Sequence, residues 1–170
     1  KVLDMGIGSG AISLSIAKYC PNAFVYGVDI DEIPIRIANI NKNRFNLTNV
    51  EFLKGNMFEP IENLNFEKGF HILASNPPYI PTKDIENLQD EVKIYEPKLA
   101  LDGGIDGLKF YREITRLAPK YLMDNGLLIY EIGYDQGKAV KEILMENGFE
   151  NIEILKDIQG FDRVVLGFLN

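Results

Sequence analysis

Short apolar runs bounded by glycine, proline and asparagine alternate along the chain with segments whose apolar residues recur every three to four positions. The runs read as buried strands and the periodic segments as helices, the pattern of an α/β fold whose mostly parallel sheet is covered on both faces. Strands are predicted near residues 1–5, 24–29, 50–54, 70–75 and 127–132, and helices near 10–19, 32–44, 107–123 and 135–147. Pro34 falls in a first helical turn, where a missing N–H is tolerated, and Ile33, Ile37 and Ile40 share its helical spacing. Val140, Ile143 and Leu144 give the last helix an apolar stripe, and Asn147 with Gly148 gives it a stop. Beyond it, residues 150–155 and 162–169 flank a turn and read as an antiparallel pair closing one edge of a seven-stranded sheet.

Residues 76–106 fit neither pattern, and this stretch is far longer than the usual connection of roughly 4 to 6 residues. It carries Tyr95, Leu99, Leu101 and the turn LDGGIDG, so partial order over a functional site is expected. At 170 residues with 46% hydrophobic composition, the chain is expected to form one domain with a real core. No apolar run reaches the roughly 18 to 20 residues of a spanning helix, and no basic-then-apolar leader is present, so a cytoplasmic setting is expected. The chain starts at Lys1, inside what reads as a strand and without an initiator methionine, which suggests an excised piece.

Cys20 and His71 are the only residues of their kinds, so neither a disulfide nor a metal site is expected. A net charge of -7 opposes contact with a phosphate backbone, and no basic patch offsets it; direct nucleic-acid binding is not expected.

Candidate chemistry gathers at strand ends. After the first strand, Gly6, Gly8 and Gly10 form a G-x-G-x-G turn into a helix, one residue shorter than the dinucleotide fingerprint. Glycines there let the backbone approach a ligand, and the helix start offers N–H groups to an anion; a tight turn without ligand is the competing reading. The second strand ends at Asp29, placed to accept both hydroxyls of a ribose, while Asp31 reads as a helix cap. After the third strand, Asn56 is placed for an adenine edge and Met57 for the ring face. Together they imply an adenosine-containing ligand.

The fourth strand runs into SNPPYIP, residues 75–81. Pro77 pushes Asn76 out of the helical region, and each proline fixes its own φ and removes a donor. The result is a stiff exit holding Asn76, Pro77, Pro78 and Tyr79 in a nearly fixed relationship: either a costly turn or a preformed polar clamp.

The segments LDMGIGSG, VDID, SNPPYIP, YEPKLALDGGIDGLKFYREI, EIGYDQG and QGFDRVV together resemble the bacterial release factor glutamine methyltransferases, a HemK-like family. NPPY alone is shared with adenine-N6 and guanine-N2 methyltransferases; the other segments narrow the choice, with ribosomal protein glutamine methyltransferases the nearest rival. Ile7, Asn56 and His71 stand where that family often has Thr, an acid and Asp. The resemblance implies a Rossmann-like class I S-adenosylmethionine-dependent methyltransferase, cofactor contacts from Asp4, Gly6, Ile7, Gly8, Ser9, Gly10, Asp29, Ile30, Asn56, Met57 and Asn76, and S-adenosylhomocysteine as product. It further implies class 1 peptide chain release factors as partners and the absence from this chain of the family's N-terminal helical domain.

On this reading the Asn76 side-chain oxygen and the Pro77 carbonyl accept the two N–H bonds of a substrate carboxamide, and Tyr79 packs on the planar amide. The open alternatives are a nucleobase-amine methyltransferase, a dehydrogenase disfavoured by the glycine spacing, and a non-catalytic adenosine-binding module.

Overall fold

The buried quartet Val2–Met5 forms β1 in the computed structural model, which describes residues 1–62, 64, 69–88 and 97–170. With it the chain builds β2 (Val25–Asp29), β3 (Val50–Lys54), β4 (Phe70–Ser75), β5 (Leu122–Glu131), β6 (Phe149–Lys156) and β7 (Asp162–Leu169). These make one seven-stranded sheet in the order β3-β2-β1-β4-β5-β7-β6. Strands β1 to β5 run parallel, and β7 pairs antiparallel with both β5 and β6, as the sequence pattern predicts.

Successive strand residues point to opposite faces, so β1 and β4 each feed two cores. Val2 and Val25 join Leu14 of α1 (Ala11–Tyr19) and Ala38 of α2 (Glu32–Arg44) on one face. Leu3 and Leu73 join the other core. There Ile61 of α3 (Glu59–Glu62), Tyr111 and Ile114 of α5 (Lys109–Leu117) and Leu144 of α6 (Gly137–Glu146) pack. The short α4 (Lys98–Leu101) lies between β4 and α5 in the chain. Among the described residues no helix is long and apolar enough to cross a membrane.

Several boundaries differ from the sequence pattern. The helix expected over 107–123 begins at Lys109, because Gly107 is left-handed at φ 75, and ends at Leu117. Pro119 has no N–H to continue the helical ladder, and Ala118–Lys120 tighten into a 3-10 turn. Strand β5 then starts at Leu122, five residues early, paired with Phe70 across an irregularity in register. The stripe Ile33, Ile37 and Ile40 does not face the core: these residues are 56%, 40% and 60% exposed, while Ala38 is fully buried. Close approach explains the choice, since a Cβ on Gly10 would lie 3.0 Å from the Ala38 Cβ and 3.3 Å from the Phe52 ring. Only a small residue fits where α2 meets the glycine turn.

The described residues of the long irregular stretch are ordered into short elements. Thr82–Asn87 make a 3-10 turn, and Ile80 bridges to Asp102 in parallel fashion. Tyr95 lies outside the described residues.

Gly27 marks tight packing under the site. A Cβ there would sit 2.7 Å from the Phe52 ring and 2.8 Å from Ile7 Cγ2. Overpacking of this kind costs about 1–3 kcal/mol. Gly27→Ala is expected to lower unfolding free energy by that amount in urea titration; an unchanged midpoint would contradict this packing.

Candidate active site

The ends of β1 and β4 lie side by side in register, Met5 opposite Ser75. Ser75 Oγ donates to the Met5 carbonyl at 2.7 Å, so the two chain exits are fastened where they leave the sheet. A Cβ on Gly6 would lie 3.9 Å from the Asn76 carbonyl oxygen. The glycine turn and the SNPPYIP turn are therefore immediate neighbours. Between them, and reaching to the ends of β2 and β3, opens a cavity of about 500 Å³, within the range of roughly 300–1,000 Å³ usual for small-ligand sites.

The glycine turn is left-handed at all three glycines, with φ of 73° at Gly6, 53° at Gly8 and 82° at Gly10. A Cβ on Gly8 would meet no protein atom within 4 Å, and Gly6, Ile7, Gly8 and Ser9 all line the cavity. Ile7 is 6% exposed and packs in the core against Gly27, so its side chain supports the turn from below. Asp29 lines the cavity, its Oδ2 accepting from the Gly8 N–H at 3.1 Å and its Oδ1 from the Asp31 N–H at 3.0 Å. Each carboxylate oxygen has acceptor capacity left for a ligand hydroxyl. Asp31 caps α2, accepting from Ile33 N–H, as predicted.

Ile30, Asn56 and Met57 also line the cavity. Met57 holds φ 46, an uncommon conformation for a residue with a side chain. Its chain both packs on the core and borders the cavity.

Asp4 is placed differently. It is 1% exposed and does not line the cavity: it lies behind the glycine turn, where Oδ2 accepts from Ser13 N–H at 3.0 Å and Ser13 Oγ at 2.5 Å. A buried carboxylate thus satisfies an N–H at the start of α1, one of the donors expected to face an anionic ligand. Its other oxygen, Oδ1, is buried with no hydrogen-bond partner among the described residues. Burial pushes the Asp4 carboxyl up to about 6 despite the Ser13 hydrogen bonds.

Asn76, Pro77 and Pro78 line the cavity. Neither the Asn76 side chain nor the Pro77 carbonyl has a hydrogen-bond partner among the described residues. Tyr79 is not on the cavity wall; its half-buried ring packs on the core, with Cδ2 against Gly133. The two prolines extend the chain past the opening, so the ring turns inward rather than over the cavity.

Several wall residues carried no assignment from sequence: Phe110 and Ile114, one turn apart on α5, Glu131 at the end of β5, and Leu99 on α4. The four-residue spacing of Phe110 and Ile114 was the available signal. Nothing local marked Glu131. Among the described residues no group of three His, Cys, Asp or Glu side chains is placed to hold a metal ion.

Residues 1–152 match the family model described as a methyltransferase domain. The chain is 46% identical over 166 residues to a protein of Thermodesulfovibrio yellowstonii named release factor glutamine methyltransferase, covering 98% of this chain and 58% of that protein. It is 49% identical over 168 residues to a Clostridium acetobutylicum protein of the same name, with 98% and 58% covered. The chain thus spans little more than half the length of these curated relatives. Among solved structures it superposes on a methyltransferase from Pyrococcus furiosus with a TM-score of 0.70 at 20% identity, covering 98% of this chain and 73% of the other.

The Asp4 environment makes folding depend on pH. A carboxyl whose folded pKa is raised stabilises the fold fully below its unfolded value near 3.9, and that contribution is lost as pH rises through about 6. The difference corresponds to on the order of 3 kcal/mol. Between pH 4 and pH 7 the ligand-free chain is expected to lose stability on that scale relative to Asp4→Asn in urea titrations. Parallel pH curves for the two proteins would contradict it.

Proposed function

We propose, since this chain belongs to the methyltransferase domain family, that it transfers a methyl group from S-adenosylmethionine to the side-chain amide nitrogen of a glutamine in a peptide chain release factor. One observation carries this reading: the rigid Asn76–Pro77 turn, with two oxygens unpartnered among the described residues, opens on the same cavity as the glycine turn. The names and 46% and 49% identities of the two relatives support it. A cytoplasmic setting goes with such a substrate.

The cavity residues fit the cofactor. The open position at Gly8 admits close backbone contact, the spare lone pairs of Asp29 suit a ribose, and Asn56 with Met57 suit an adenine. Bound there, S-adenosylmethionine supplies an electrophilic methyl carbon on a sulfonium.

The chain's own residues have a different task. A carboxamide nitrogen is a poor nucleophile, because its lone pair is delocalised into the carbonyl. Asn76 Oδ1 and the Pro77 carbonyl, accepting its two N–H bonds, orient that lone pair and stabilise the positive charge that grows on nitrogen. One of the two protons they hold passes to water as the nitrogen becomes a secondary amide. Pro77 and Pro78 keep the acceptors from drifting, and misplacement by about 1 Å costs on the order of a hundredfold in rate. The apolar walls at Phe110, Ile114 and Leu99 exclude water from the transfer.

A nucleobase amine or a ribosomal-protein glutamine would present the same planar NH2. The net charge of -7 stands against the first. The test incubates the full-length protein with labelled S-adenosylmethionine and purified release factor, ribosomal proteins and nucleic acid, then locates the methyl group by mass spectrometry. Label on a release-factor glutamine is expected, and label only on another acceptor would overturn the reading. Asn76→Ala is expected to lower kcat at least a hundredfold while the cofactor Kd changes less than about threefold. Retained full activity would remove the clamp from the account.

A further inference from the structure

The Asn76–Tyr79 turn is pinned at both ends, and the second pin comes from a distant part of the chain. Gln136, 9% exposed in the loop before α6, donates through Nε2 to the Tyr79 carbonyl at 3.0 Å and to the Gly107 carbonyl at 3.3 Å. Its Oε1 accepts from the Gly133 N–H at 3.0 Å and lies 3.5 Å from the Tyr111 hydroxyl, whose single proton goes to the Glu131 carbonyl at 3.0 Å. A primary amide has two N–H donors and two acceptor lone pairs; here both donors and one lone pair are used. One side chain thereby ties together the exit of β4, the loop before α5 and the loop after β5.

Two glycines clear the space it occupies, and a third clears the space of Tyr79 beside it. A Cβ on Gly107 would lie 2.3 Å from the Tyr79 carbonyl oxygen and 2.8 Å from Gln136 Nε2. One on Gly133 would lie 2.9 Å from Gln136 Oε1, and one on Gly103 would lie 2.7 Å from Tyr79 Cα. The same knot is closed by the Ile80 N–H donating to Leu101 and the Gly103 N–H donating to Ile80.

We infer that Gln136 is a positioning residue for methyl transfer: by holding the Tyr79 carbonyl it fixes the far end of the turn that carries the acceptors of Asn76 and Pro77. The inference rests on the reading of that turn as a clamp for a substrate amide. Between the Ser75 bond to Met5 and the Gln136 bond to Tyr79, the prolines make a short stiff span. Releasing one end lets the whole span pivot, which displaces the acceptors without touching the cofactor side of the cavity. Only an amide serves here. A carboxylate would set lone pairs against the Tyr79 and Gly107 carbonyls, and an apolar side chain would leave both unpartnered.

Two substitutions test this in the full-length protein. Gln136→Glu keeps the acceptor half of the knot and removes the donor half; Gln136→Met removes both. For each, kcat per cofactor-binding site is expected to fall ten- to a hundredfold, with cofactor Kd within threefold and the substrate KM little changed. A purely structural role would instead lower the melting temperature and the fraction of binding-competent protein, leaving kcat per binding site at the wild-type value. That result overturns the proposal, as does loss of folding in both variants.

A second readout needs no substrate. Amide exchange at Ile80 and Gly103 is expected to quicken at least tenfold in Gln136→Met while strand β1 is unaffected, and unchanged protection at those two amides also overturns the proposal. Should wild type bind S-adenosylmethionine but methylate no release-factor glutamine, the functional reading fails and the exchange result still judges the anchor. Should wild type be active and the variants equal it, only the anchor fails.

Discussion

The site depends on the pairing of β1 with β4. In the strand order, succession runs outward from β1 through β2 to β3 on one side and through β4 to β5 on the other, so the two chain exits diverge at that pair. Ligands of open α/β sheets bind at such a reversal, beyond the carboxyl ends of the strands. Register makes the placement exact to the residue here: Met5 faces Ser75, the Ser75 hydroxyl bonds the Met5 carbonyl, and Gly6 and Asn76 emerge together. A slip of one residue would turn Ser75 to the opposite face and carry Asn76 away from the glycine turn.

Two kinds of residue then divide the work. Groups that would meet a ligand stand at the cavity wall: the glycine turn, Asp29, Asn56, Asn76 and Pro77. Groups that hold these in place are buried, as Asp4 is behind the glycine turn and Gln136 behind the proline turn. Asp4 is the expensive member, since burial drives its carboxyl up to about 6 and one oxygen has no partner among the described residues. Its two bonds to Ser13 fix the start of α1, and hence the far end of the glycine turn, against β1.

Much of this was legible in the sequence, because the signals were local. The strand runs, the span of α2 with its Asp31 cap and the Gly148 stop depend on neighbours within a few positions, and the structure reproduces them. The early start of β5 depends instead on pairing with Phe70, far away in sequence. The isoleucine spacing marked α2 correctly, but which residue meets the sheet was not local: Gly10 and Phe52 admit only Ala38 at the contact, leaving the isoleucines outside. Of the residues singled out for the site, most line one cavity, but Asp4 lies behind it, Gly10 is buried against Ala38, Leu14 and Phe52, and the Tyr79 ring turns into the core. Alternation along β1 puts Asp4 under α1, and the straightening effect of two prolines carries Tyr79 past the opening. Phe110, Ile114 and Glu131 reach the wall only through tertiary packing, which no short segment encodes.

The central claim is geometric, that two oxygens at a rigid bend hold a planar amide nitrogen. A crystal structure of the full-length protein with S-adenosylhomocysteine and a glutamine-bearing peptide tests it most directly. The account predicts the glutamine nitrogen within about 3.2 Å of both Asn76 Oδ1 and the Pro77 carbonyl oxygen, facing the thioether sulfur. A glutamine amide bound through other groups, with those two oxygens turned away from it, would contradict the account.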